Sequence, residues 1–366
     1  MAGSTFGKNI SVSTWGESHG KALGVVIDGF PAGMELCEED IQKFLDRRKP
    51  GTSAATTSRK EDDLVEILSG VFEGKTTGTP ISLMVKNTSQ RSSDYSEIAQ
   101  YYRPGHADFG FDEKYGFRDY RGGGRSSGRE TIGRVASGAL CSKLLSQMGI
   151  EVCAFTKAIG DVEINPDNFN KEAIYSTPTA MPDTEADKRA MELIAKCRED
   201  MDSIGGVIEC RITGVPAGIG EPVFDKLDAK FAQAIMSVGA VKAVEIGDGT
   251  KVSRYRGSEN NDEFEIDENG VVSKKTNHSG GILGGMSDGS EIIIRAYVKP
   301  TPSIASTQST INKSGENISI NIMGRHDPVV VPRAVVVVES MCALTLLDLM
   351  ISNMSSRADY ITSFYK

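Results

Sequence analysis

The sequence predicts an α+β fold in which an internal pseudo-twofold repeat sets two sheets around a shared helical layer. Three observations lead there. GVVIDGFPAGMELCEEDIQKFLDRR, from Gly24, and VIECRITGVPAGIGEPVFDKLDAKFAQAIM, from Val207, each join an apolar strand to a G-[FV]-PAG turn, an acidic opening and a helix-period stripe. SGVFEGKTTGTPISLMVKN and GGILGGMSDGSEIIIRAYVKP place glycine at every fourth position ahead of an alternating strand, Gly70, Gly74 and Gly78 against Gly281, Gly285 and Gly289. RETIGRVASGALCSKLLSQM, from Arg129, and RAVVVVESMCALTLLDLM, from Arg333, add a further helix to each copy. Two such units closing on one another predict a single domain over 1–366, the first repeat at about 5–150 and the second at about 205–355.

Each element has a local reason. Leu23 to Ile27 is an apolar strand, and Ile41, Phe44 and Leu45 form the buried stripe of the helix that follows. Arg48 continues that stripe at i+7, where an unpaired cation is costly, so it needs either a buried Asp or Glu or the anionic group of a ligand. Ser127 and Glu130 read as an S-x-x-E capping box for a helix buried through Ile132, Val135, Ala136, Ala139, Leu140 and Leu144. Between the copies, a polar loop leads into a surface helix from about Thr184 to Met201. In the second copy Leu227, Phe231, Ala234 and Ile235 make the matching stripe. Residues 257–281 are acidic and Asn-rich and predict a mobile excursion or lid. Val335 to Val338 alone would favour a strand, but their place in the repeat favours a helix.

Composition narrows the function. There is no run of about eighteen apolar residues, and MAGSTFGKNISV has neither a basic nor an apolar leader region, so a cytoplasmic chain with no membrane partner is expected. The six cysteines lack CxxC spacing and predict reduced thiols, mostly in the core. The four histidines show no HExxH pairing, so no metal site is expected. A net charge of -9 argues against a nucleic-acid partner, because phosphate-backbone binding needs a broad positive face.

The cations are local. Residues 103–134 hold six arginines around Gly122, Gly123 and Gly124, and GGGRSSG ends at a helix start, where free N–H groups together with Arg125 and Arg129 suit a phosphate. An ordinary capped loop with solvated arginines would read similarly, although Arg134 flanks the buried face of the helix. His19 in GESHG, His106 in PGHAD, and His326 with Asp327 in GRHDP all sit in Gly-rich or tight turns beside arginine-rich segments, a setting for proton transfer to a phosphorylated substrate. KPTPS, residues 299–303, ends a strand with Lys299, Thr301 and Ser303 as donors. Two other classes share these features. One is a phosphoryl-transfer enzyme with His19 or His326 as nucleophile, for which there is no GxxxxGK[ST] loop. The other is an RNA-binding module built on YGFRDYRGGGR, against which the acidic pI weighs.

Taken together, GESHG with DGFPAG, DRRKPG, SGVFEGKTTGTPI, RPGHAD with KYGFRDYRGGGRSSGRET, AVKAVEIGDG, NHSGGILGGMSDG, KPTPSI and GRHDP stand in an order that resembles the chorismate synthase family over essentially the whole chain. The resemblance implies a β-α-β sandwich with two antiparallel sheets around the helical layer, assembled as a homotetramer. It implies conversion of 5-enolpyruvylshikimate 3-phosphate to chorismate by 1,4-anti elimination, with reduced FMN required and no net redox change. By the same likeness His19 looks like the proton donor to the leaving phosphate and His106 like the group that sets the protonation of the reduced flavin. Asp327 looks like the base that takes the C6 proton by way of the flavin. Substrate contacts fall on Arg48, Arg129, Arg134 and Arg325. Flavin contacts fall on Arg125, Ser126, Ser127, Gly239, Ala240, Gly284, Lys299, Pro300, Thr301, Pro302, Ser303 and again Arg325. Ala54 stands where relatives commonly have arginine, which leaves one substrate or NADP contact open, and Val329 stands where a cysteine is frequent. No reductase domain is visible, so a separate flavin reductase is the expected source of electrons.

Overall fold

A computed structural model describes residues 3–51, 55, 61–88, 98–266, 268, 270–322 and 327–366. In the first half the chain runs through β1 (Thr5–Phe6), β2 (Ser11–Gly16), β3 (Ala22–Asp28), α1 (Glu38–Arg48) and β4 (Val65–Ser69). The small hairpin of β5 (Val71–Phe72) and β6 (Lys75–Thr76) follows, then β7 (Ile81–Lys86), α2 (Asp108–Tyr115) and α3 (Thr131–Gln147). Strands β1-β2-β3-β7-β4 pair in that order, all antiparallel. Leu23, Val25 and Ile27 of β3 and Ile81, Leu83 and Val85 of β7 point to one face and are buried, the period-two pattern of a half-covered sheet. Helix α1 has the charge order its dipole favours, Glu38, Glu39 and Asp40 in the first turn and Arg47 and Arg48 in the last.

The second half contains β8 (Glu151–Ile159), β9 (Val162–Glu163), α4 (Ala173–Ser176), α5 (Thr184–Glu199), β10 (Gly206–Thr213), α6 (Leu227–Met236) and β11 (Val241–Ile246). Next come α7 (Gly257–Asn260), the hairpins β12 (Phe264–Ile266) with β13 (Val272–Lys274) and β14 (Ile282–Leu283) with β15 (Met286–Ser287), and β16 (Ile292–Val298). A last hairpin, β17 (Gln308–Ile311) with β18 (Asn317–Ile320), precedes α8 (Val331–Asn353) and α9 (Ala358–Phe364). Strands β11-β16-β10-β8-β9 form a second antiparallel sheet. The fold is α+β, with helices and antiparallel sheets mixed.

Helix α3 packs on β3 on one side and on α8 on the other, and α8 packs in turn on β8 and β10. Two glycines permit this. A Cβ on Gly133 would lie 2.8 Å from Thr14 Cγ2 of β2, and one on Gly138 would lie 2.2 Å from Ser340 Cβ of α8. Helix α8 is long and apolar enough to cross a membrane by length and composition, although Arg333, Glu339 and Asp348 leave no unbroken apolar run of eighteen. Glu339, Ser340, Thr345 and Asp348 break up the run in sequence, while the structure buries most of the helix inside the protein. Glu339 is balanced there by Arg47 and by the Ala154 N–H, which donates to it at 3.0 Å.

Three expectations are refined. The capping box at Ser127 is only half made: Ser127 Oγ accepts from the Arg129 N–H at 3.4 Å, but the Glu130 carboxylate turns to Arg134 at 2.9 Å, and a 3-10 turn over Gly128–Glu130 leads into α3. Residues 257–281 contain α7 and the β12–β13 hairpin, with buried Lys274 tied to Asp262 at 3.3 Å and to Asp288 at 2.7 Å. All six cysteines are free, four of them buried, but Cys37 is exposed at the start of α1.

Candidate active site

A cavity of about 1210 Å³ opens where turns from both halves meet. From the first half come Ser18 and His19, the Arg103 to Ala107 turn, and the loop from Gly122 to Thr131; from the second come Val238 to Ala240, the turn after β16, and the first turns of α8. The glycine at 122 is there for a steric reason. Its φ is +63°, and a Cβ would lie 2.3 Å from His19 Cε1, so only a residue without a side chain lets the loop pass across the imidazole. His19 is buried, and its Nδ1 is 3.2 Å from Ser18 Oγ.

His106 is held from two sides. Its Nε2 lies 2.7 Å from Ser303 Oγ, and the carbonyl of neighbouring Gly105 accepts from Lys299 Nζ at 2.9 Å. The turn is braced from behind by Asp108, which receives Arg103 Nε and Nη2, each at 2.8 Å, and the Arg103 N–H at 3.1 Å. Burial pushes the Asp108 carboxyl up, but the Arg103 hydrogen bonds and charge outweigh it and hold the group below the usual carboxylate range.

The arginines divide by what they touch. Arg125 clamps the end of β2, donating Nη1 to Gly16 O at 2.9 Å and Nη2 to Thr14 Oγ1 at 2.6 Å; among the described residues no carboxylate pairs with it. Arg134 lines the cavity between Glu130 and Ser237 Oγ, to which its Nη1 donates at 2.6 Å. Arg48 also lines it, and its guanidinium meets buried Asp63, so an acid partner is present beside the open cavity. Arg129 is drawn into the same acidic group, with Asp63 at 3.0 Å, Glu61, and Asn87 Oδ1 at 2.8 Å, and does not reach the lining.

A profile of the chorismate synthase family matches residues 10–351. The chain belongs to the chorismate synthase family. It is 64% identical over 366 residues to the chorismate synthase of Agathobacter rectalis, with all of both chains covered. Against that of Methanocella arvoryzae it is 56% identical over 355 residues, covering 96% of this chain and 95% of the relative. A crystal structure of chorismate synthase matches with a TM-score of 0.76 at 31% identity, over 98% of this chain and 97% of that one. Chorismate synthase is a carbon–oxygen lyase, and this chain is an enzyme of that class.

Against the chorismate synthase resemblance, the cavity brings together His19, His106, Arg48, Arg125, Ser126, Ser127, Arg134, Gly239, Ala240, Lys299, Thr301, Pro302 and Ser303. Arg129, Gly284, Pro300 and Asp327 are not on its lining. Gly284 lies between β14 and β15, and Asp327 pairs with Arg333, which does line the cavity. Ala54, Arg325 and His326 lie outside the described residues. Sequence reasoning passed over Arg103, Arg333 and the acids Glu61 and Asp63. Only Arg103 had a visible signal, as the first residue of the RPGHAD string.

Proposed function

We propose that the chain eliminates phosphate and the C6 proton from 5-enolpyruvylshikimate 3-phosphate in a 1,4-anti sense to give chorismate, with reduced FMN required and no net redox change. The observation behind this reading is that His19, His106, the Arg125 loop and the turn after β16 all face one cavity. Flavin fits these residues. Thr301 Oγ1 is buried on the lining with no hydrogen-bond partner among the described residues, a Cβ on Gly123 beside Arg125 would meet nothing nearer than 3.4 Å, and Ala240 keeps a φ of +72° in the wall. Arg125, Ser126, Ser127, Gly239, Ala240, Lys299 and the Thr301–Ser303 turn would hold it. When bound, reduced FMN supplies transient electron density to the carbon from which phosphate departs.

The chain's own residues do the rest. His19, pressed between Ser18 and the Gly122 backbone, is placed to give a proton to the departing phosphate. His106, fixed on Ser303, sets protonation at the flavin side. Asp327 is the final holder of the C6 proton. Arg134 and Arg48 orient the substrate's anionic groups.

The sandwich and its pseudo-twofold symmetry belong to the same reading. They are supported by the likeness in order of the strand–helix unit β3–α1 to β10–α6, and by the contact of α3 with α8. A homotetramer is supported by the outer face of the first sheet, where Trp15, Val26 and Met84 stand on the side away from the buried Leu23 and Leu83. Gly284, which is not on the lining of this cavity, would then reach the flavin from another copy. A separate reductase would supply the electrons. Phosphate release is measured with substrate and FMN, with and without dithionite; release that ignores flavin reduction would favour a phosphoryl-transfer enzyme.

A further inference from the structure

We infer that Arg333 is a positioning residue for the elimination, acting through Asp327; this rests on the reading of Asp327 as the proton acceptor. Arg333 stands in the first turn of α8. Its Nη1 meets Asp327, and its Nε donates to the Arg48 carbonyl at 3.1 Å. That carbonyl belongs to the last residue of α1, where helix C=O groups lack intrahelical donors. One planar guanidinium therefore spans three parts of the site: α8, the end of the helix bearing Arg48, and the loop bearing Asp327. The cations on either side of Arg48 are engaged elsewhere, Arg47 with Glu339 and Lys49, just past α1, with Asp46.

Its location adds a second reason. Arg333 is the one described residue on the lining of both large cavities, the one above and another of about 1110 Å³ between α1, α3 and α8. It is a partition as well as a clamp. A residue in that position fixes where the Asp327 carboxylate can sit, and lysine, a point charge, cannot span both acceptors in the same way.

The test is a double-mutant cycle of R333Q and D327N, followed by single-turnover chorismate formation, with substrate affinity and thermal unfolding measured on the flavin-free chain. R333Q should lower kcat about 100-fold, the cost of roughly 1 Å of misplacement, with KM and flavin-free substrate affinity nearly unchanged. R333K should recover only part of that loss. In the D327N background R333Q should cost little more, because the group it positions is gone. If D327N has no measurable turnover, the test rests on R333Q alone: a loss of kcat with unchanged substrate affinity and unfolding temperature supports the inference, and unchanged kcat or a matching loss of stability overturns it. A brace with no catalytic role would lower the unfolding temperature and cost the same in both backgrounds; that additive result overturns the inference alone. Full turnover in D327N overturns the reading of Asp327 and the inference with it.

Discussion

Replacing Gly122 by alanine should separate the position of His19 from the stability of the fold. Two penalties arise. The residue has a φ of +63°, a left-handed conformation that costs an alanine about 1–2 kcal/mol. The new Cβ would also lie 2.3 Å from His19 Cε1, 2.4 Å from Nδ1 and 2.9 Å from Ser18 Oγ. Carbon atoms in contact sit about 3.5–4.0 Å apart, so the imidazole or the loop must retreat by roughly 1.2 Å. A displacement of about that size costs on the order of 100-fold in turnover, or about 2.7 kcal/mol in the barrier. Gly123 provides the control. Its φ is +85°, but a Cβ there would find nothing nearer than Ser126 Oγ at 3.4 Å. G123A thus bears the backbone penalty without the push on His19. Anaerobic turnover with reduced FMN should show G122A about 100-fold below G123A, while both unfold only a few degrees below the parent. Equal kcat in the two folded variants would show that the reaction does not need His19 where the structure holds it.

Asp108→Asn should cost about 3–5 kcal/mol in urea unfolding, because it leaves Arg103 as a buried cation without its partner. The Asp108 carboxyl is depressed on folding, so its stabilisation is fully present above about pH 3.9 and is lost as pH falls through the folded value. The gap between parent and D108N should therefore narrow in acid, and a gap that is constant with pH would refute the ion-pair account. Arg48→Ala should lower stability by less than that, because Arg129 still meets the buried Asp63 at 3.0 Å, and calorimetry on the flavin-free chain tests its other role. Lost stability with unchanged substrate affinity would make Arg48 an internal counterion only.

Much of the fold was legible because its signals are local and periodic. The stripe Ile41, Leu45, Arg48 is the buried face of α1, and Leu227, Phe231, Ala234 and Ile235 are that of α6. Repetition settled what propensity could not. The Val335–Val338 run is helix because α8 must lie between α3 and the second sheet, where packing outweighs the preference of β-branched residues for strands. The charge partners were not legible in this way. Arg48 reaches Asp63, fifteen positions away, and Arg47 reaches Glu339 in the other half of the chain. Such pairs are set by three-dimensional closure and leave no period in the sequence. Glu130 shows the same limit at short range: a motif offered it to a backbone N–H, and a guanidinium one turn on took it.

These pairings explain how a chain of net charge -9 presents a cavity lined by cations. Among the described residues the cavity lining has six cations, Arg48, Arg103, Arg125, Arg134, Lys299 and Arg333, and one carboxylate, Glu130. The balancing acids lie behind the wall: Asp63 backs Arg48, Asp108 backs Arg103 and Asp327 backs Arg333. Each guanidinium is thereby oriented before any ligand arrives, which spares the entropy of ordering a long side chain on binding. The same arrangement tempers the field, since a paired cation attracts an incoming anion less than a bare one. Arg125 and Lys299 differ, being held by backbone and hydroxyl oxygens and by no carboxylate among the described residues. They are the strongest unpaid positive charges at the site. A phosphate should therefore settle toward these two, leaving the backed arginines to read the shape of the rest of the ligand.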